Sequence, residues 1–132
     1  MNRIKQKFDE LASNDSKALI TYIVAGDPDL DSSLSIMNCM VKEGADIIEI
    51  GIPFSDPMAE GVSIQRGHER ALQNKTSIKD SLSLVSKFRQ SNKTTPIVFM
   101  GYMNPFESMG VQDFCKEAAR KGVDGILIVD MP

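Results

Sequence analysis

Four short runs of apolar, β-branched and aromatic residues punctuate the chain, and between them apolar positions recur at intervals of three and four. The runs are Leu19-Ile20-Thr21-Tyr22-Ile23-Val24, Ile47-Ile48-Glu49-Ile50-Gly51-Ile52, residues 96–102 and residues 125–129. Each has the length of a strand, and the nearly unbroken apolar character fits strands covered on both faces, as in a parallel sheet under helices. Helical spacing links Ile4, Phe8 and Leu11 over residues 2–12, an amphipathic helix suited to plugging one end of a sheet. It also links Leu34, Met37 and Val41, with Asp31 as the expected cap and Gly44 as the stop, and then Ile64, Gly67, His68, Ala71 and Leu72. Ser77 to Asp80 has the form of a capping box ahead of Leu82, Val85 and Phe88. Met103-Asn104-Pro105-Phe106 reads as a loop leading to a helix with Val111, Phe114, Cys115 and Ala118 inward and Gly122 at its end.

Strands separated by helices imply right-handed parallel crossovers, because each helix must return the chain to the start of the next strand. A weak repeat supports this, since Glu43-Gly44-Ala45-Asp46-Ile47-Ile48 recurs as Lys121-Gly122-Val123-Asp124-Gly125-Ile126. Asp closely followed by Pro also marks three strand ends, at Asp27-Pro28, Asp56-Pro57 and Asp130-Met131-Pro132. Repeated β/α units with polar loops at one end point to a TIM (β/α)8 barrel more than to a doubly wound sheet, and no Gly-x-Gly-x-x-Gly opens a helix. A whole barrel takes about 250 residues. The expectation is therefore one partial domain, residues 1–132, holding the first four β/α units and stopping after strand four.

With 132 residues, 42% of them hydrophobic and 25% charged, the composition is that of globular material. A net charge of −3 with scattered Lys and Arg offers no basic face to nucleic acid or anionic lipid. No apolar run reaches the length of a membrane span, and the polar N-terminus lacks the core of a signal peptide, so the cytoplasm is the expected compartment. Cys39 and Cys115 lack metal-ligand spacing and read as buried free thiols in a reducing environment.

The chemistry centres on Glu49, a carboxylate in the middle of an apolar strand. Desolvation raises a carboxyl pKa towards the range where it can both donate and accept a proton, although a structural ion pair would also explain an acid there. Pro53-Phe54-Ser55-Asp56-Pro57 ends the sheet pairing and opens a loop carrying Asp56 and Glu60, at the strand end where α/β folds bind ligands. His68, the only histidine, reads as a satisfied, partly buried residue on a packed helical stripe rather than as a catalytic base.

Residues 44–57, Gly-Ala-Asp-Ile-Ile-Glu-Ile-Gly-Ile-Pro-Phe-Ser-Asp-Pro, resemble the second strand and loop of the tryptophan synthase α subunit family. The likeness continues through Ile23-Val24-Ala25-Gly26-Asp27-Pro28, Ile64-Gln65-Arg66-Gly67-His68, Met100-Gly101-Tyr102-Met103-Asn104-Pro105 and Val129-Asp130-Met131-Pro132. It implies retro-aldol cleavage of indole-3-glycerol phosphate to indole and glyceraldehyde 3-phosphate, with no metal or organic cofactor. It further implies that Glu49 is the acid–base group and Glu60 the acid that bonds the indole N–H, with Tyr22, Met100, Tyr102, Leu127 and Val129 lining the substrate. A pyridoxal-phosphate-dependent β subunit would dock at Pro53, Asp56, Pro57, Asn104 and Pro132 in an αββα assembly. The family's phosphate site would lie on later loops.

Three positions depart from the family pattern. Glu60 stands where the family has Asp, Val62 where it usually has Pro, and Val24 where Thr is common. The extra methylene of Glu60 moves its carboxylate by about one carbon–carbon bond, and a misplacement of about 1 Å can lower a rate roughly a hundredfold. A non-catalytic module keeping the docking face is the alternative these departures leave open. Another phosphate-binding barrel, such as a sugar-phosphate epimerase, is the other.

Overall fold

The computed structural model describes residues 2–131. Helix α1 (Arg3–Ser13) leads into strand β1 (Ile20–Val24), and α2 (Leu30–Lys42) returns the chain to β2 (Ile47–Gly51). Two helices, α3 (Gly61–Gln73) and α4 (Ile78–Ser91), precede β3 (Ile97–Gly101), and two more, α5 (Met103–Met109) and α6 (Val111–Lys121), precede β4 (Gly125–Ile128). The four strands pair in parallel in the order β1-β2-β3-β4. A doubly wound sheet would reverse its strand order at a switch point and carry helices on both faces. Here the order never reverses, and α2, α4 and α6 pack side by side along the sheet. The architecture is four β/α units of a TIM barrel, open on the side where further strands would close it.

Side-chain alternation divides the sheet into two unlike faces. Ile48, Ile50, Ile97 and Phe99 point outward, wholly buried beneath the helices against Met37, Leu84, Val85, Phe88, Phe106 and Phe114. The opposite face carries Ile20, Tyr22, Glu49, Val98, Met100 and Leu127, in the positions left by that alternation. At its margins Ile20 is 50% and Leu127 47% exposed.

The sequence repeat has a structural meaning. Asp46 Oδ2 accepts the Leu19 N–H at 2.9 Å, and Asp124 Oδ2 accepts the Ile97 N–H at the same distance. Each Asp therefore ties the start of its own strand to the start of an earlier one. The glycine two residues before each Asp, Gly44 and Gly122, turns the chain with φ of 104° and 93°, a conformation open to glycine. Asp124 also binds Arg3 at 2.8 Å and the buried Arg89 at 2.9 Å. Burial, followed by the charge of Arg3, brings Arg89 down to about 10 against the pull of Asp124. Ile4 meets Gly125, so α1 seats against the amino-terminal end of the sheet as its amphipathic pattern predicts.

Several local expectations are corrected. Asp29, not Asp31, caps α2 by accepting the Ser32 N–H, and Asp31 lies in the first turn. Residues 103–106 begin a helix instead of a loop, because Pro105 falls in a first turn where its missing N–H is not needed. The Met103 N–H is taken by Asp130 Oδ1 at 2.7 Å, from a loop 27 residues away. Cys39 and Cys115 are exposed: their neighbours Met37 and Phe114 occupy the buried stripe, and apolar surroundings in sequence do not fix the phase of a helix. The capping box at Ser77 and Asp80 forms as read.

β1 and β4 each leave one edge unpaired beside a partly exposed apolar face, which favours intermolecular pairing. The isolated chain is expected to self-associate, checked by sedimentation velocity over a concentration series. A sharp, concentration-independent monomer that binds no hydrophobic dye would refute this.

Candidate functional site

Register brings the predicted residues together before any loop contributes. Tyr22 lies opposite Glu49 and Val24 opposite Gly51 on the inner face, Glu49 is next to Val98, and Gly51, Met100 and Leu127 follow across the sheet. Val129, just beyond β4, donates its N–H to Gly101 O at 2.9 Å. Gly51 is needed for space: a Cβ there would come within 2.0 Å of Tyr22 Oη, so the phenol lies across the end of β2.

The loop after β2 then folds over this end of the sheet. Tyr102 is 1% exposed, its hydroxyl accepting the Ala59 N–H at 3.0 Å and its ring stacked 5.3 Å from Phe54. It lies under the loop, just past the end of β3. Glu60 occupies the N-cap position of α3 but makes no capping bond. Its carboxylate turns instead towards His68 Nε2, 2.6 Å from Oε2, while Oε1 lies 3.5 Å from Tyr22 Oη. His68 in turn accepts the Phe54 N–H through Nδ1 at 3.1 Å. Gly67, beside it, lets α3 approach Asp27 and Val24 closely, and Arg70 holds Asp27 through two bonds of 2.7 and 2.9 Å.

These contacts set the electrostatics. Burial first, and the charge of Glu60 second, push the Glu49 carboxyl above its ordinary value. Burial, then Glu60, then Glu49 push Tyr22 well up, keeping its phenol protonated. Among the described residues neither carboxylate is paired to a Lys or Arg, and no group of three or more His, Cys, Asp or Glu is arranged to hold a metal ion. A pocket of about 260 Å³ opens between β1 and α3, lined by Tyr22, Val24, Asp27, Ser63, Ile64 and Gly67. Neither acid lines it: Glu49 lies on the inner face of the sheet, and the Glu60 side chain is buried against His68.

The residues assigned to a partner face divide. Asp56 and Asn104 are exposed, whereas Pro53 and Pro57 are buried within the chain. Pro132 lies outside the described residues. The most exposed apolar side chain of that loop is Met58, at 82%. Sequence reading missed His68 as the partner of Glu60. The available signal was their separation of eight residues, which places two side chains on one side of a helix, but Glu60 lies just outside the helix and its direction could not be read.

Fold and site define a class: part of a β/α barrel with two carboxylates converging at the carboxyl ends of its strands, where barrel enzymes hold their active sites. The family model for the tryptophan synthase alpha chain matches residues 8–132, and the chain belongs to that family. The tryptophan synthase alpha chain of Nitrosomonas europaea is 51% identical over the whole chain, which covers 48% of that relative. The crystal structure of the alpha subunit from Legionella pneumophila superimposes with a TM-score of 0.98 at 47% identity, over all of this chain and 50% of that one. An alpha chain in a structure of the tryptophan synthase a2b2 complex of Pyrococcus furiosus gives 0.82 at 48% identity, over 87% of this chain and 46% of its own. The chain spans about half the length of the curated relatives it matches.

A raised carboxyl pKa opposes folding once the group ionises. Below the ordinary glutamate value of 4.5 Glu49 is protonated in folded and unfolded chains alike and the penalty is absent. It grows as pH rises from there through the raised folded value, and is complete above it. Glu49→Gln is therefore expected to stabilise the fold at pH 8 and to lose that advantage below pH of about 4. Denaturant midpoints of both proteins across pH check this, and an advantage independent of pH would refute it.

Proposed function

We propose that this chain supplies the acid–base part of the active site of an indole-3-glycerol-phosphate lyase, acting as the alpha subunit of a tryptophan synthase. The observation that carries the reading is Glu49 on the inner sheet face, its carboxyl raised by burial and by Glu60. Cleavage needs a proton added at indole C3 and a proton removed from the glycerol hydroxyl. As the hydroxyl proton leaves, the oxygen closes to an aldehyde carbonyl, the carbon–carbon bond breaks, and its electrons return to the indole ring. A carboxyl of raised pKa serves both proton transfers without ionising prematurely. Glu60 stabilises the positive charge that develops at the indole nitrogen, where a fixed carboxylate is worth more in the transition state than in the ground state. Met100, Leu127 and Val129 form the apolar side of the site, with Tyr22 as a wall for the ring. The substrate phosphate is held by residues of a second half-barrel, and no organic cofactor enters the cleavage.

Docking to a pyridoxal-phosphate-dependent β subunit uses the same rim. The exposed Asp56, Met58 and Asn104 support this, and the a2b2 assembly of the Pyrococcus furiosus relative gives the precedent. Such a complex works in the cytoplasm.

In the chain completed by a second half-barrel, Glu49→Gln keeps volume and fold and lowers turnover by at least ~100-fold, up to ~10,000-fold, as loss of general acid–base catalysis does. The 132-residue chain alone is expected to release no measurable indole, because nothing orients the substrate against Glu49. Undiminished turnover in the completed Glu49→Gln protein would remove Glu49 from the mechanism.

A further inference from the structure

His68 is a fully buried titratable group, 1% exposed, to which the proposed chemistry gives no task. Its two nitrogens are differently committed. Nδ1 faces the Phe54 N–H at 3.1 Å and must therefore be the acceptor, which leaves the proton of the neutral ring on Nε2. Nε2 lies 2.6 Å from Glu60 Oε2, and among the described residues neither atom has a well-formed hydrogen bond. The contact is poorly aligned as a hydrogen bond, but Glu60 Oε2 is the acceptor that stands nearest the Nε2–H. Glu60 thus presents one oxygen to His68 on α3 and the other to the phenol of Tyr22.

We propose that His68 is a positioning residue for Glu60: its Nε2–H draws one carboxylate oxygen back against α3 and so takes up the extra length of the glutamate side chain. The other oxygen is then held at the inner face beside Tyr22 and Glu49. Glu60 and His68 act as one unit, and shortening Glu60 alone leaves a buried imidazole N–H without its acceptor. Replacing Glu60 by the family's Asp, without a change at His68, is therefore not expected to improve the site. The inference rests on the proposed lyase reading only for its kinetic consequence, since the pairing itself is a property of the chain.

Two substitutions separate positioning from mere support of the loop. Asparagine at position 68 can keep an acceptor near Nδ1 for Phe54 but cannot reach Glu60. Glutamine can place a donor near Nε2 but loses the acceptor. In the completed protein, His68→Asn is expected to lower kcat by about tenfold to a hundredfold with little change in KM, as a misplacement of about 1 Å does. His68→Gln is expected to restore most of it. On a Glu60→Asp background His68→Asn should have little further effect, because the shorter acid is no longer held by the ring. Equal losses from His68→Asn on both backgrounds, or an active Asn and inactive Gln variant, would overturn the proposal.

A second readout needs no activity. As the only histidine, His68 gives one pair of imidazole nitrogen signals in a 15N-histidine spectrum of the chain. The expected pattern is the neutral Nε2–H form, with its Nε2 signal displaced by Glu60→Gln. An Nδ1–H form, or signals indifferent to Glu60→Gln, would refute the pairing even if Glu49 proved essential. If the pairing is present while Glu49→Gln remains fully active, the lyase reading falls and the pairing stands.

Discussion

Strand β2 is paired along both edges by parallel neighbours, and that double pairing decides where Glu49 points. With β1 on one side and β3 on the other, β2 cannot rotate about its axis, so Ile48 and Ile50 are committed to the helix-covered core and Glu49 to the inner face. A one-residue slip would exchange these environments, placing a carboxylate among Met37, Leu84 and Phe88 and two isoleucines at the site. Burying an unpaired carboxylate there is so unfavourable that the outer core itself enforces the register that presents Glu49. Packing and chemistry are thus two consequences of one alternation.

The two ends of the sheet carry opposite kinds of polar group. At the amino-terminal end, Asp46 and Asp124 accept backbone N–H groups and Asp124 meets Arg3 and Arg89, so its negative charges are neutralised and shared among several donors. At the carboxyl end, among the described residues, Glu49 has no cation beside it and Glu60 has an imidazole. The arrangement agrees with the division of labour in barrels, stability below and chemistry above. It also places the strain where it is useful: two carboxylates sharing a partly dry site raise Glu49, and a satisfied pair would have lowered it.

The Glu60–His68 contact shows how a lengthened side chain can be absorbed. Glu60 emerges at the first turn of α3, where an acid would ordinarily cap the helix, but it makes no capping bond and crosses to a ring two turns further on. That ring is itself fixed by the Phe54 N–H, and Phe54 stacks on Tyr102, whose hydroxyl takes the Ala59 N–H. The loop after β2 is therefore one connected polar and aromatic assembly, and the direction of Glu60 depends on residues on both sides of it.

Much of the fold was legible because it follows from short-range pattern. Apolar runs of strand length, helical stripes such as Leu82, Val85 and Phe88, and the capping box at Ser77 each act within a few residues, and the repeated Gly-x-Asp units announced equivalent β/α turns. Glu49 was legible for the same reason: a charged residue at the centre of an apolar strand is conspicuous, and alternation assigns it a face. What depended on distant partners was not. The Met103 N–H at the start of α5 is taken by Asp130 from the next β/α unit, a bond that no local pattern announces. The phase of α2 and α6 against the sheet left both cysteines in solvent. Tyr102 is buried because the loop folds over it, and His68, which faces Glu60, is held by a backbone N–H of that same loop. The sequence by itself determined the strands, the faces and the central acid, since these rest on periodicity along one element. Only the tertiary structure decided the partner of Glu60 and which rim residues remain exposed, since these rest on contacts between elements that no local pattern encodes.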